Sequence, residues 1–387
     1  MSTIQRILPA HRIITFGLLL VTLAVNISMP LFRVYAQAAG FNNGQTALVL
    51  AAYITGMLPC YIFLGGISDK VGRKPVMIAS VCCAFFATFS ITLFPNVYAL
   101  IVARIFQGVA LGLSMGTGTA YLAEVMHTRA DAATQAANKA SFATSIGFSG
   151  GAFATTIALL IYFTIVPVTY YALLAITFVG LLLFISLPKL KPKGGNIIRL
   201  PYFPKGSFPI NMSIAVCWAC TGTVIAIIPT QLAKLHLTAY AGFCLVLINW
   251  TGAFIQPFIR KMEPYKSLKI GFILVPIGFG LVVFGCFLEM LAVILTGTTI
   301  IGLAAYGFTF MSGMTLITNA GKEHKARAVS GYMFFGYIGF GIPAIFLGYL
   351  SDAFGIVHAL LLFEVLIVLL SGYLFWVIRN EKLKSKN

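Results

Sequence analysis

Acidic residues are nearly missing from this chain: 9 Asp and Glu stand against 26 Lys and Arg in 387 positions. Charged residues of both signs together make up only 9%. A soluble globular protein carries about 25%, so an ordinary water-facing surface is excluded. Tryptophan (3) and cysteine (7) are scarce as well, and no hydrophilic stretch is long enough for a sizeable soluble domain. What is present is apolar: 59% hydrophobic residues, 33 Phe, 37 Gly and a mean hydropathy of +0.96. A bilayer crossing takes roughly 20 apolar residues, so twelve crossings of about 22 leave about 120 positions for connections and tails. Glycine is commoner in membrane helices than in soluble ones. The composition is that of an all-α polytopic membrane protein in contact with a lipid bilayer.

The apolar runs predict spans at 13–37, 45–66, 76–94, 97–122, 141–163, 166–187, 209–232, 239–259, 270–288, 291–318, 328–349 and 356–378. Of the 26 basic residues, 23 then fall in the N-terminus, the even-numbered connections and the C-terminus. Only Lys234 lies in a connection on the other side, while Arg33 and Arg104 lie within spans. Basic residues flanking spans stay cytoplasmic, which places both termini inside and the protein in the cell (inner) membrane. The net charge of +17 is spread over seven short segments, which argues against nucleic acid as a partner. The first apolar stretch is long for a signal-peptide core, contains Arg33 and lacks a clear cleavage site, so it reads as a retained helix. All seven cysteines (Cys60, Cys82, Cys83, Cys217, Cys220, Cys244, Cys286) fall in spans as small apolar residues. Packing is preferred to redox chemistry even for Cys217-x-x-Cys220.

The longest hydrophilic stretch, Pro188 to Pro209, is basic and rich in Pro and Gly, the composition of a linker. It divides the chain into a six-span half at 1–188, a cytoplasmic linker at 189–208 and a second six-span half at 209–387. An internal repeat is expected between equivalent spans. Span 5 opens Ser141-x5-Gly147-Phe148-x-Gly150, and span 11 opens Ser330-x5-Gly336-Tyr337-x-Gly339. Two parallel six-helix repeats around a central cavity are a recurrent transporter plan.

Between spans 2 and 3 lies Gly65-Gly66-Ile67-Ser68-Asp69-Lys70-Val71-Gly72-Arg73-Lys74. Gly65 and Gly66 permit close approach of another helix, and Gly72 permits a tight turn. Asp69 can pair with a basic residue or a helix N-terminus, and Arg73 and Lys74 hold the cytoplasmic side. The segment closely resembles the Gly-x-x-x-Asp-Arg/Lys-x-Gly-Arg-Arg/Lys loop of the major facilitator superfamily. That resemblance implies a conformational latch, formed by Gly65, Asp69, Gly72, Arg73 and Lys74, that closes the two halves against each other. The corresponding loop between spans 8 and 9, Arg260 to Lys266, keeps an acid and basic residues but no glycine. Gly348-x3-Asp352-x2-Gly355 copies the first half of the pattern on the outer face and reads as a helix terminator followed by a turn.

Span 4 carries Arg104-Ile105-Phe106-Gln107-Gly108, which resembles the Arg-x-x-Gln-Gly element of the same superfamily, prominent in its proton-coupled drug antiporters. Arg104 lies roughly 10 Å into the span. A charge there costs at least about 2.5–3.5 kcal/mol, so it is expected to face a cavity or a partner. Gly108, Gly112 and Gly116 form a smooth face for helix contact. Arg33 either snorkels to the outer surface or shares a helix face with Asn26 toward the cavity. Two cavity arginines without an acid would favour neutral, zwitterionic or anionic cargo.

Glu364 in span 12 is the single acid deep in a span, a setting that suits a proton carrier; Glu124 at the end of span 4 and Asp69 are alternatives. The twelfth helix is usually peripheral in the family. In the family, spans 1, 4, 7 and 10 line the cavity, which nominates Asn26, Gln107, Tyr121, Trp218, Thr221, Gln231, Tyr306 and Thr309. Spans 8 and 11 add Asn249, Trp250, Gln256, Tyr332, Phe335 and Tyr337.

The expected function is secondary active transport by alternating access, in the form of proton-coupled efflux of small amphipathic, drug-like molecules. Transport of an organic anion, metabolite or siderophore is the alternative. No Gly-x4-Gly-Lys-Ser/Thr loop is present, so no nucleotide is expected. The same holds for cofactors, metal sites and catalytic residues, since no His or Asp cluster has ligand spacing. The drive would be an ion gradient of protons, the partner a small-molecule substrate, and the protein a monomer rather than an enzyme or channel.

Overall fold

The computed structural model describes residues 9–127 and 131–384. Arg6, Arg129 and Lys386 of the basic set lie outside the described residues. Among the described residues every regular element is helical, and twelve helices are long and apolar enough to cross a membrane. They run Ala10–Ala38, Asn43–Phe63, Arg73–Leu93, Val97–Val125, Gln135–Ile161, Val168–Ile185, Phe208–Lys234, Ala241–Ile259, Pro264–Phe287, Leu291–Ala320, Lys322–Phe354 and Ile356–Asn380, numbered spans 1 to 12 below.

Local chemistry sets the ends. Asn96 caps span 4 by accepting from the amides of Tyr98 and Ala99, both at 3.0 Å, the usual work of Asn at a helix start. Glu263 does the same for span 9, accepting from Tyr265 and Lys266 at 3.2 and 3.0 Å. The acid of the loop between spans 8 and 9 therefore serves as a helix cap. Span 1 is broken. Its first helix stops at Asn26, a short 3-10 turn follows at Met29–Leu31, and a second helix covers Phe32–Ala38. Pro30 explains the break, since it has no amide to donate and disfavours helical backbone before it.

Span 11 continues as helix through Gly348 and Asp352 and stops at Gly355, whose φ is +85°. The expected terminator therefore comes seven residues later than Gly348. Asp352 instead accepts from the amides of Asn43 and Gly44 at 3.0 and 2.9 Å.

The chain forms two compact units, one of residues up to Ala39 together with Ala52–Leu200, the other of Gly40–Ala51 with the chain from Pro201 onward. The boundary falls inside the predicted linker, between Leu200 and Pro201. The first turns of span 2 group with the second unit.

Within each unit the repeated Ser-x5-Gly pattern does the same packing job. In the first, Gly147 and Gly150 let span 5 press on span 1, with the Leu19 carbonyl 2.9 Å and a Leu23 methyl 3.1 Å from where a Cβ would stand. In the second, Gly336 and Gly339 let span 11 press on span 7, against the Trp218 ring at 3.0 Å and the backbone of Ala215. Spans 2 and 4 meet the same way, through Gly108 on the Tyr53 carbonyl and Gly112 on Cys60. Gly116 is the exception, since nothing lies within 4 Å of a Cβ placed there.

Candidate functional site

The loop after span 2 gathers the densest charge cluster among the described residues. Span 2 ends at Phe63, Gly65 and Gly66 turn the chain, and a short helix at Ile67–Val71 presents Asp69. Gly72, at φ +100°, occupies a conformation open to glycine and launches span 3 at Arg73. Asp69 and Arg73 form an ion pair and are each only 8% exposed. Arg73 also reaches Glu124 at 3.0 Å and donates to the Ser68 hydroxyl at 2.6 Å. Glu124, named as an alternative coupling acid, is thus a member of this cluster. Lys74 donates to the carbonyls of Ile185 and Leu187 at 2.6 and 2.9 Å, covering the end of span 6, where a helix exposes unpaired carbonyls and partial negative charge.

Two partners of the cluster come from the linker. Arg199 pairs with Asp69, and Lys193 lies 2.7 Å from Glu124. Sequence reasoning missed both, because they stand far along the chain in a segment whose composition announces only a connection.

Arg104 is buried, 1% exposed, within the first unit. It donates to the Val25 carbonyl at 2.7 Å and to the Gln107 side-chain oxygen at 2.9 Å. Its guanidinium also lies over the rings of Tyr53 (4.5 Å) and Phe32 (5.2 Å). Gln107 donates to the Ala24 carbonyl at 2.8 Å. The pair therefore serves the last carbonyls of the helix that ends at Asn26, groups with no intrahelical donor. Asn26 donates to the Phe148 carbonyl of span 5 at 2.7 Å. Arg33 follows on the second helix of span 1, half-buried. Arg104, Gln107 and Asn26 thus converge on the break in span 1, while Arg33 stands beyond it.

Two nominated cavity residues are spent on backbone. Tyr121 is fully buried and donates to the Pro188 carbonyl at 2.5 Å. Gln231 donates to the Cys286 carbonyl at 3.4 Å. A polar side chain in a membrane helix seeks an acceptor, and the residue letter does not tell a carbonyl from a cavity.

The second unit holds an aromatic cluster. Trp218 of span 7, 4% exposed, lies 5.1 Å from Tyr337 edge-on, 5.4 Å from Tyr306 and 6.2 Å from Phe310, nearly parallel to the last. Its indole Nε1 is buried without a hydrogen-bond partner. Tyr306 sits in a π-helical stretch of span 10, Leu303–Thr309. Such wide turns disturb the ordinary ladder. Side chains from neighbouring spans engage carbonyls there: Gln256 to Tyr306 at 3.3 Å, Ser267 to Phe308 at 3.0 Å and Tyr332 to Thr309 at 3.1 Å. Thr309 also accepts from Cys217 at 3.3 Å. Thr221 and Asn249 turn back to carbonyls of their own helices.

Glu364 is half-buried on span 12, which packs on spans 7, 9 and 11. One carboxyl oxygen lies 3.1 Å from where a Cβ on Gly280 of span 9 would stand. The other, Oε2, is buried without a hydrogen-bond partner.

The fold is similar to solved transporters along nearly its whole length. The nucleoside transporter NupG aligns with a TM-score of 0.74 at 12% identity, covering 95% of this chain and 99% of that one. The D-xylose-proton symporter aligns with a TM-score of 0.69 at 14% identity, covering 96% and 97%. Curated relatives match over shorter stretches. The inner membrane transport protein YnfM of Escherichia coli is 26% identical over 98 residues, 25% of this chain and 24% of its own. The quinolone resistance protein NorA of Staphylococcus aureus is 23% identical over 113 residues, 29% of each chain. These alignments span only about a quarter of the relatives' length. The family model described as Major Facilitator Superfamily matches residues 14–343, most of the chain, and with twelve helices among the described residues long and apolar enough to cross a membrane the protein is a multi-pass membrane protein belonging to the major facilitator superfamily.

Proposed function

We propose that this transporter exports small amphipathic, aromatic compounds by alternating access, driven by protons re-entering the cell, with both termini cytoplasmic in the inner membrane. The observation that carries the proton drive is Glu364 Oε2, buried in the membrane-spanning part without a hydrogen-bond partner. An isolated carboxylate in such surroundings is expensive, and binding a proton relieves the cost, so protonation couples naturally to movement of span 12 against span 9. The cargo class is supported by the cluster of Trp218, Tyr306, Phe310 and Tyr337 with its unpartnered indole N–H. Aromatic walls with a few placed polar groups are how small-molecule sites are generally built. The partial likeness to a quinolone resistance protein makes a quinolone the natural first probe.

Anionic cargo is the second reading, supported by Arg33, a half-buried cation beyond the break in span 1. The guanidinium of Arg104 is engaged with carbonyls and rings. The test uses inside-out proteoliposomes with an acidic lumen and a radiolabelled quinolone. Wild type is expected to accumulate the quinolone, an uncoupler to abolish accumulation, and Glu364→Gln to lack it. Accumulation indifferent to the uncoupler contradicts proton drive. Uptake of a radiolabelled simple carboxylate, with no quinolone uptake, favours the anion reading.

A further inference from the structure

The linker does not hang free beside the latch; it is laid across it. The Gly66 amide donates to the Ile197 carbonyl at 2.8 Å, the Gly194 amide to the Asp69 carbonyl at 3.0 Å, and the Arg199 amide to the Ile62 carbonyl at 3.3 Å. A side chain on Gly66 would strike the Asn196 carbonyl, and a Cβ on Gly65 would stand 3.6 Å from that of Arg199. The two glycines thus make room for the linker backbone, where the sequence pointed to a helix neighbour. Asp69 and Glu124 share Arg73, and each also holds one cation from the linker. Asp69 binds Arg73 and Arg199, and Glu124 binds Arg73 and Lys193.

Immediately beyond, the chain is fastened to the second unit. The Tyr202 amide donates to the Arg327 carbonyl at 3.0 Å, and the Tyr202 ring lies 5.2 Å from His324. Phe203 packs 5.8 Å from Phe335, over Gly331, where its ring is 2.8 Å from a Cβ position. The chain from Arg199 to Tyr202 is three residue steps, about 10 Å when fully drawn out. Any movement that carries Asp69 further than this tether allows from Arg327 must undo one fastening. The first is the weaker at its end: Arg199 is held there by a long backbone hydrogen bond to Ile62, at 3.3 Å, and by an ion pair whose Arg199 side chain is 42% exposed, and a partly solvated ion pair contributes little, while the second combines a 3.0 Å backbone hydrogen bond with aromatic packing.

We propose that Arg199 is a positioning residue of the transport cycle, a clasp that holds the linker on the latch and must release Asp69 before the face carrying the basic loops opens. The inference rests on the alternating-access reading. It differs from a simple latch because the releasable partner of Asp69 belongs to a length-limited strap.

The test places cysteines at Gly65 and Arg199 in a protein whose seven native cysteines are replaced. The 3.6 Å separation lies within the range a disulfide spans. Oxidation is expected to form the crosslink and to slow exchange of radiolabelled quinolone across proteoliposomes at least tenfold, reversibly with reductant. Inserting six Gly-Ser residues between Leu200 and Pro201 is expected to restore exchange to the crosslinked protein without reduction, which a merely structural role for the pair does not predict. Failure to crosslink, undiminished exchange after crosslinking, or no rescue by insertion overturns the proposal. A cargo-free measurement separates this from failure of the quinolone reading. Arg199→Ala should raise hydrogen exchange at the Gly66 and Gly194 amides about tenfold, and Arg199→Lys should leave it near wild type; unchanged protection in the Ala variant contradicts the clasp whatever the cargo.

Discussion

Arg104 in span 4 donates to the backbone carbonyl of Val25, 2.7 Å away, at the point where the first helix of span 1 ends. A guanidinium suits this position because one planar group reaches the carbonyl and Gln107 while its faces cover Tyr53 and Phe32. Arg104→Ala leaves a buried carbonyl unpaired, at a cost of about 1–3 kcal/mol, and frees the break in span 1. A lowered melting temperature in detergent and loss of quinolone exchange are expected. Arg104→Lys should lie between the two, and full transport by the Ala variant would remove Arg104 from the mechanism.

The glycines of span 4 make a paired prediction. Gly108→Val drives a side chain into the Tyr53 carbonyl and should separate spans 2 and 4, destabilising the protein by about 1–3 kcal/mol. Gly116→Ala meets no atom within 4 Å and should change stability by less than about 0.5 kcal/mol. Thermal unfolding of the two variants side by side checks the contrast.

Asp352 holds the first amides of span 2, a carboxylate at the positive end of a helix. Replacement by Ala should cost about 1 kcal/mol. The loss should be local, read as faster hydrogen exchange at Asn43 and Gly44 with the rest of span 2 unchanged. Unaltered exchange there would show that the cap contributes nothing in the membrane.

Trp218→Phe keeps an aromatic ring among Tyr306, Phe310 and Tyr337 but removes the unpartnered N–H. If that donor meets an acceptor on the cargo, KM for quinolone exchange should rise about tenfold with kcat unchanged, the signature of binding lost equally from ground and transition states. An unaltered KM would assign the indole to packing.

The architecture was legible because its signals are long. Twelve apolar runs and a one-sided distribution of Lys and Arg survive errors of a few residues at any boundary. The ion pair after span 2 was legible for another reason: Asp69, Gly72 and Arg73 stand within five residues of one another. The partners that complete it were not. Arg199 reaches Asp69 across 130 positions, and no spacing rule links a linker cation to a loop acid. The break in span 1 had a local cause in Pro30, yet its consequence, that Arg104 and Gln107 serve Val25 and Ala24, depends on which helices meet. Tyr121 and Gln231 were drawn toward the cavity by polarity and composition, while their hydrogen bonds go to Pro188 and Cys286. The π-helical turn around Tyr306 left no mark that the residue pattern could report.

The most direct test of the account is to follow protons and cargo in the same vesicles. Proteoliposomes holding a pH-sensitive dye are given a pulse of quinolone, and lumenal pH is recorded beside exchange of labelled for unlabelled compound. The account predicts that wild type moves protons opposite to the quinolone, and that Glu364→Gln keeps the exchange but moves none. Net quinolone transport by wild type with no accompanying proton movement, or proton movement undiminished in Glu364→Gln, would contradict it.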